Sequence, residues 1–150
     1  MSVRPDYPFT QPVVVAFRDI DALGHVNNAT YLSYFEDARV RYLLQLLDAD
    51  RPDQLQVIVA ENTVQYRKPV FYGDELEIGV RVGVIGTKSL AVEYALYRLT
   101  DQALMAEGRT VLVWYDYAAQ HSVSVPDTFR QAVDRVQGHL QSFASSSKTG

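Results

Sequence analysis

The chain of 150 residues contains no cysteine. This absence excludes disulfide bonds, zinc sites built on thiolates and thiol nucleophiles, and it fits a reducing compartment. No apolar run approaches the roughly 18 residues that a membrane-spanning helix needs. The N-terminal residues 1–8 also lack the apolar core of a secretory signal. The sequence therefore predicts a cytoplasmic protein with no membrane span.

A basic surface is missing as well. Lysine and arginine number 14 against 18 acidic residues, and the net charge is −4. This balance argues against a nucleic-acid partner, which favours a basic face. The chain has no Gly-x-Ser-x-Gly elbow, which disfavours a serine hydrolase. Asp19, Asp21 and His25 match no metal-binding spacing, so no metal site is predicted.

The length suits one domain over residues 1–150, since the sequence shows neither an internal repeat nor a linker. Residues 1–11 contain two prolines and no periodic pattern. Residues 144–150 are rich in serine. Both ends are therefore expected to be loosely ordered.

Apolar periodicity predicts the order of the elements. β-Branched residues favour a strand over Val13–Phe17. Apolar steps of three and four predict a long helix over Asn28–Leu47, with Asn27 or Asn28 as its N-cap. Period-two patterns predict strands at 55–66, 76–84 and 90–96, and a run that is apolar on both faces predicts a further strand within 103–115. A second helix is predicted after Pro126. This order predicts an α+β fold in which helices accompany an antiparallel sheet.

The turn that precedes the long helix has the composition of a catalytic site. Asp21 would be ionised at neutral pH, since an aspartate has a pKa of about 3.9. It could activate a water or attack a carbonyl carbon itself. The first N–H groups of the helix lack intrahelical partners and could hold the carbonyl oxygen as it becomes negative. One carboxylate without an obvious general acid suits a thioester, because a thiol of pKa about 8.5 leaves readily.

Two stretches carry a family resemblance. The first reads Asp19-x-Asp21-x-x-Gly24-His25-Val26-Asn27-Asn28-x-x-Tyr31-Leu32, followed by Phe35-Glu36-x-Ala38-Arg39. The second reads Tyr66-Arg67-Lys68-Pro69-Val70-x-Tyr72-Gly73-Asp74-Glu75-Leu76. Together they closely resemble the acyl-CoA thioesterases of the hotdog fold, and among these the 4-hydroxybenzoyl-CoA thioesterase branch.

The resemblance implies an antiparallel sheet wrapped around one long central helix, with a C-terminal helix added. It implies a homodimer paired edge to edge, with active sites at the interface, and possible pairing of dimers into a homotetramer. Self-association would also cover the strand around Trp114, which is apolar on both faces. The substrate implied is an acyl-CoA, and no cofactor is expected beyond the coenzyme A of that substrate.

The resemblance also assigns residues. Asp21 matches the catalytic carboxylate, as base or nucleophile, and Asn28 matches the residue whose backbone N–H holds the thioester oxygen. His25 matches a supporting position. The chain departs from one bacterial subgroup by having Phe17 instead of tyrosine, and from the plant acyl-carrier-protein thioesterases by having Leu23 instead of asparagine. Three cations at predicted strand ends or turns are candidates for binding the phosphates of coenzyme A: Arg67, Lys68 and Lys88.

Other interpretations remain open at this point. Asp19 is interpreted as a turn residue that bonds its own backbone. A non-catalytic acyl-CoA-binding or regulatory module would have the same fold. A hydratase-type lyase is a further alternative, although Asp21-x-x-x-His25 is one residue shorter than the hydratase run and lacks its Asn and Pro. The sequence does not define the acyl group, nor the preference between coenzyme A and acyl-carrier protein.

Overall fold

A computed structural model describes residues 6–148, with side chains described as far as residue 138. Its elements are β1 (Phe9–Val14), α1 (Thr30–Leu47), β2 (Val57–Tyr66), β3 (Glu75–Ile85), β4 (Ser89–Arg98), β5 (Ala103–Asp116), β6 (His121–Ser122) and α2 (Asp127–Lys148). Short 3-10 turns lie at Phe17–Asp19 and Pro52–Gln54. This order confirms the predicted strand, long helix, four strands and second helix, and adds the short β6.

The strands form one antiparallel sheet in the order β1-β3-β4-β5-β2, and β6 pairs with β5. One face of the sheet packs on α1. The predicted alternation is confirmed for eight buried residues of β3 and β4: Leu76, Ile78, Val80, Val82, Leu90, Val92, Tyr94 and Leu96. It is wrong at Val84, which is 66% exposed, because the register of β3 shifts between Val82 and Ile85. Phe35 of α1 stacks on Tyr94, with ring centroids 4.6 Å apart. The long helix is therefore the centre of the core.

The first strand lies further towards the N-terminus than the sequence predicted. β1 pairs with β3 from Phe9, which is opposite Val80, and Phe17 lies in a 3-10 turn instead of a strand. The prediction of a loose lead-in is therefore wrong for residues 9–11. That prediction rested on Pro5, Pro8 and the lack of a periodic pattern, and both prolines precede the strand. Pro12 lies within β1, where a proline is tolerated because β1 is an edge strand.

The ends of the chain were predicted to be loose. Residues 1–5 lie outside the described part of the chain, and so do residues 149–150. The backbone of α2 is helical as far as Lys148. The loose segment expected from residue 144 stays a prediction.

The helix α1 begins at Thr30, two residues later than predicted. Its N-cap is Ala29, with no side-chain cap. The prediction of an asparagine N-cap is therefore wrong. Asn27 acts one step earlier, since its Oδ1 accepts a hydrogen bond from the Ala29 N–H at 2.9 Å and forms a turn before the helix.

Strand β2 forms the second edge of the sheet and is exposed along most of its length. Its predicted apolar face is interrupted by a bulge between Val59 and Glu61. Ile58 and Val59, on opposite faces of the strand, are each 43% exposed. Neither α1 nor the described part of α2 is long and apolar enough to cross a membrane.

Candidate active site

The turn that holds Asp21 is a small hairpin. The Asp21 N–H donates to the His25 carbonyl and the Gly24 N–H donates to the Asp21 carbonyl, both at 3.0 Å. Ile20 and Val26 pair across the base of the hairpin. Gly24 has a φ of +92°, in the region that favours glycine, which explains its place in the motif.

Asp21 and His25 are brought together by this hairpin. The Asp21 Oδ2 lies 4.0 Å from the His25 Nδ1, and their side chains are 23% and 30% exposed. The distance indicates an electrostatic contact without a direct hydrogen bond. The other carboxylate oxygen, Oδ1, accepts from the Leu23 N–H at 2.9 Å. The acid is thus fixed by its own turn and remains accessible to a substrate.

Asn28 lies in the turn between this hairpin and α1. The Asn27 N–H donates to the Asp19 carbonyl at 2.9 Å, and the Thr30 N–H donates to the Asn27 carbonyl at 3.0 Å. The Ala29 N–H is taken by the Asn27 side chain. Within residues 6–148, the Asn28 N–H makes no hydrogen bond. It is a spare donor just before the positive end of a helix dipole.

A cleft of about 220 Å³ lies beside Asn28. Its lining comes from the hairpin, the start of α1 and the end of β2: His25, Val26, Asn28, Tyr31, Tyr66, Arg67, Lys68 and Pro69. Asp21 is connected to the cleft through His25 and does not line it. Burial raises the pKa of Tyr31, so its hydroxyl stays protonated at neutral pH. The structure therefore joins four of the predicted site residues at one opening: His25, Asn28, Arg67 and Lys68.

The three predicted cations differ in their surroundings. Arg67 is held by Glu107, at 2.6 and 3.0 Å, and by the Gln65 Oε1 at 2.7 Å. The Lys68 side chain has no ion pair among the described residues. Lys68 is therefore the available cation of the cleft.

The structure does not bring Lys88 to the cleft. Lys88 lies in the turn between β3 and β4, where its carbonyl accepts from the Trp114 N–H. Tyr66 pairs with Ala106 on β5, whereas the residue after Lys88 pairs with Val113 on the same strand. Seven residues of strand separate these positions, which is about 23 Å.

Asp19 has the role that the turn interpretation predicted. Its Oδ2 accepts from the Ala16 N–H at 2.9 Å and from the Tyr34 hydroxyl at 2.8 Å. Burial, followed by this bond, raises the pKa of Tyr34. The side chain of Asp19 therefore links the segment that follows β1 to α1.

Sequence reasoning gave no role to Tyr66 of the cleft, nor to the exposed pair Phe17 and Tyr72. The Tyr66 hydroxyl donates to the Asn28 carbonyl at 2.9 Å. Phe17 and Tyr72 meet edge to face at 6.1 Å, although they are 78% and 65% exposed. Tyr66 and Tyr72 both belong to the second matched stretch, which was the available signal. No cluster of three or more His, Asp or Glu side chains suited to a metal occurs among the residues described.

The chain belongs to the thioesterase-like superfamily, whose pattern it matches over residues 15–133. Its fold is the hotdog fold, and it is a thioester hydrolase, as the resemblance predicted. A thioesterase from Thermus thermophilus, crystallised with coenzyme A and zinc, is 36% identical with a TM-score of 0.82. The two structures match over 89% of this chain and 97% of that one.

Two further proteins are similar to this chain in sequence. The acyl-CoA thioester hydrolase YbgC of Escherichia coli O6:H1 is 30% identical over 114 residues, which cover 72% of this chain and 82% of YbgC. The protein YsmA of Bacillus subtilis is 28% identical over 130 residues, or 87% of this chain and 88% of YsmA.

Proposed function

We propose that this thioesterase hydrolyses an acyl-CoA to the free carboxylic acid and coenzyme A. The observation that supports this most directly is the unpartnered Asn28 N–H on a cleft shared with His25 and an available lysine. The name of YbgC and the coenzyme A in the Thermus structure support the choice of acyl group carrier.

In the proposed reaction, the thioester oxygen accepts a hydrogen bond from the Asn28 N–H. That bond strengthens as the oxygen gains negative charge. Asp21, beside His25, either removes a proton from the attacking water or attacks the carbonyl carbon itself. The carbon–sulfur bond then breaks, and the thiolate leaves with the electron pair and takes up a proton. A direct attack gives an anhydride, which a water molecule hydrolyses.

The coenzyme A portion is proposed to lie over Lys68, whose ammonium would approach a phosphate. Arg67 is proposed to contribute less, because Glu107 and Gln65 already occupy its guanidinium. Lys88 is not proposed to take part within one subunit, because of its distance from the cleft.

We further propose that the enzyme is a homodimer in the cytoplasm, with no nucleic-acid partner, and that dimers can pair into tetramers. The long exposed edge of β2 supports a second copy at that strand, since such an edge is a template for further pairing. The end of β2 lines the cleft through Tyr66, so this pairing would place the site near the interface.

The test is the variant Asp21→Asn. It keeps the shape of the side chain and removes its charge, so we expect kcat to fall about 10²- to 10⁴-fold with the fold and oligomer unchanged. Thiol release from acyl-CoAs of several chain lengths and one aryl-CoA measures the loss, and it identifies the preferred acyl group.

The matched control is Asp53→Asn, which removes an exposed aspartate from a distant 3-10 turn and should leave kcat unchanged. Near-normal turnover in purified Asp21→Asn would contradict the mechanism. Tight binding of acyl-CoA by the unaltered protein without thiol release would indicate a binding module instead. Hydration of an enoyl-CoA would indicate a lyase.

A further inference from the structure

We infer that Tyr66 and Tyr31 form the end wall of the acyl subsite and restrict this thioesterase to short-chain acyl groups. The inference rests on the proposed function, since it takes the thioester carbonyl to lie at the Asn28 N–H. Tyr66 lines the cleft, and its hydroxyl donates to the Asn28 carbonyl at 2.9 Å. The side chain therefore spans the gap between the end of β2 and the turn that precedes α1.

The two arms of an acyl-CoA leave the thioester carbon in different directions. Lys68, the proposed phosphate contact, lies two residues after Tyr66 and beyond the end of β2. The coenzyme A arm would therefore leave the cleft at that end. The acyl arm would take the other direction, towards Val64, which lies on the same face of β2 as Tyr66 and packs against the core. It meets the Tyr66 ring before it reaches the space between β2 and α1.

The Tyr66 ring is held in this position by several contacts. The ring of Tyr31, a residue that is only 3% exposed, stands edge-on to it, with centroids 4.9 Å apart and an interplanar angle of 86°. This arrangement is favourable for two aromatic rings. The strand end is fixed as well, because Arg67 and Lys68 both donate their N–H groups to the Met105 carbonyl, at 2.8 and 3.1 Å. These contacts oppose any movement of the wall.

The space behind the two rings is filled by the core. Phe35 lies one helical turn after Tyr31 and is 1% exposed. Val64 pairs with Gly108, and a Cβ at Gly108 would lie 2.8 Å from the Phe35 Cε2. Even a methyl group does not fit there, so an acyl chain cannot continue past the rings. The cleft itself, at about 220 Å³, is smaller than the roughly 300–1,000 Å³ that is usual for small-molecule sites.

The experiment measures kcat/KM for butyryl-CoA and decanoyl-CoA in the full chain. We expect the unaltered protein to prefer butyryl-CoA at least about tenfold, since the fit of a single methylene group in a pocket changes kcat/KM by about that factor. Tyr66→Val adds the volume of the ring to the cleft and keeps a residue that favours a strand. It should lower the preference at least about tenfold.

Two further variants isolate the contribution of the ring. Tyr66→Phe removes the hydroxyl but keeps the ring, so the preference should stay within about twofold of the original. The matched control is Tyr117→Val. Tyr117 is 51% exposed against 47% for Tyr66, and its hydroxyl donates to the Val57 carbonyl at the other end of β2. This variant should also keep the preference within about twofold.

Equal kcat/KM for the two substrates in the unaltered protein would overturn the inference. So would a preference that Tyr66→Val leaves unchanged, or that Tyr117→Val lowers equally. Failure of the proposed function has a different signature, because no thiol would be released from either substrate. Titration calorimetry with the same two acyl-CoAs then decides the matter, since the wall limits binding as well as turnover. Tighter binding of butyryl-CoA that is lost in Tyr66→Val supports the inference, whereas equal binding of the two, or binding of neither, overturns it.

Discussion

Asp19 and Asp21 are two positions apart and have opposite surroundings. The Asp19 carboxylate accepts from a backbone N–H and from the Tyr34 hydroxyl, so it is committed to structure. The Asp21 carboxylate has one oxygen bonded to its own turn and the other oriented to His25 at 4.0 Å. Two identical side chains thus have different surroundings, since Asp19 meets the Tyr34 hydroxyl and Asp21, the proposed catalytic acid, lies beside His25.

The role proposed for Lys68 in binding coenzyme A can be tested at the scale of single residues. Lys68→Ala should raise KM for acyl-CoA about threefold to fivefold at low salt, with kcat unchanged, because an exposed charge contact contributes up to ~1 kcal/mol. The effect should shrink as salt is added, since exposed charges are screened. Steady-state kinetics at two ionic strengths measures it. Lys88→Ala is the control. Equal effects on KM in the two variants would contradict the proposal that Lys68 binds coenzyme A at the cleft.

At the scale of elements, the contact between α1 and β5 depends on a glycine. A Cβ at Gly108 would lie 2.8 Å from the Phe35 Cε2 and 3.2 Å from the Tyr94 Cδ2. Gly108→Ala should therefore lower the free energy of unfolding by about 1–3 kcal/mol, the usual cost of overpacking. Denaturant unfolding measures the change.

The matched comparison is a double-mutant cycle with Phe35→Leu. The smaller side chain makes room for the new methyl group, so the double variant should lose less than the sum of the two single variants. Strict additivity would show that Phe35 does not limit the space at Gly108.

Much of this element order could be predicted because the signals are local. Alternation in β3 and β4 and the apolar stripe of α1 are properties of neighbouring residues. The start of β1 could not be predicted, since residues 9–11 show no periodic pattern and are held by pairing with β3, which is distant in sequence. The start of α1 was displaced because Asn27 bonds to the residue before the helix instead of capping it.

The candidate site was predictable in part for the same reason. Asp21, His25 and Asn28 lie within eight positions, and one hairpin and one turn bring them together. The register of the sheet decided the rest. It places Tyr66 against Asn28 and leaves Lys88 at the other end of β5, and neither result follows from local sequence.

For the whole molecule, the two edges of the sheet are unlike. β1 contains Pro12, which has no N–H to donate to a further strand, whereas the ten residues of β2 are mostly exposed. Val59→Lys should therefore convert the proposed homodimer into a monomer and lower thioesterase activity, because it places a charge at the proposed interface. Analytical ultracentrifugation measures the assembly.

The control for this change is Val84→Lys, which adds the same charge at a more exposed valine near the end of β3. It should leave the assembly unaltered. A dimer that survives Val59→Lys, or that dissociates with both variants, would contradict the assignment of the interface to β2.

Because Asp19 supports the architecture while Asp21 is proposed to support turnover, we expect that either acid can be lost in evolution without the other. A descendant that replaced the acid at position 21 would keep its shape, whereas one that replaced the acid at 19 would lose a brace between β1 and α1. Relatives that have lost hydrolase activity but kept the fold should thus retain an aspartate at the position of Asp19 and have another residue at the position of Asp21.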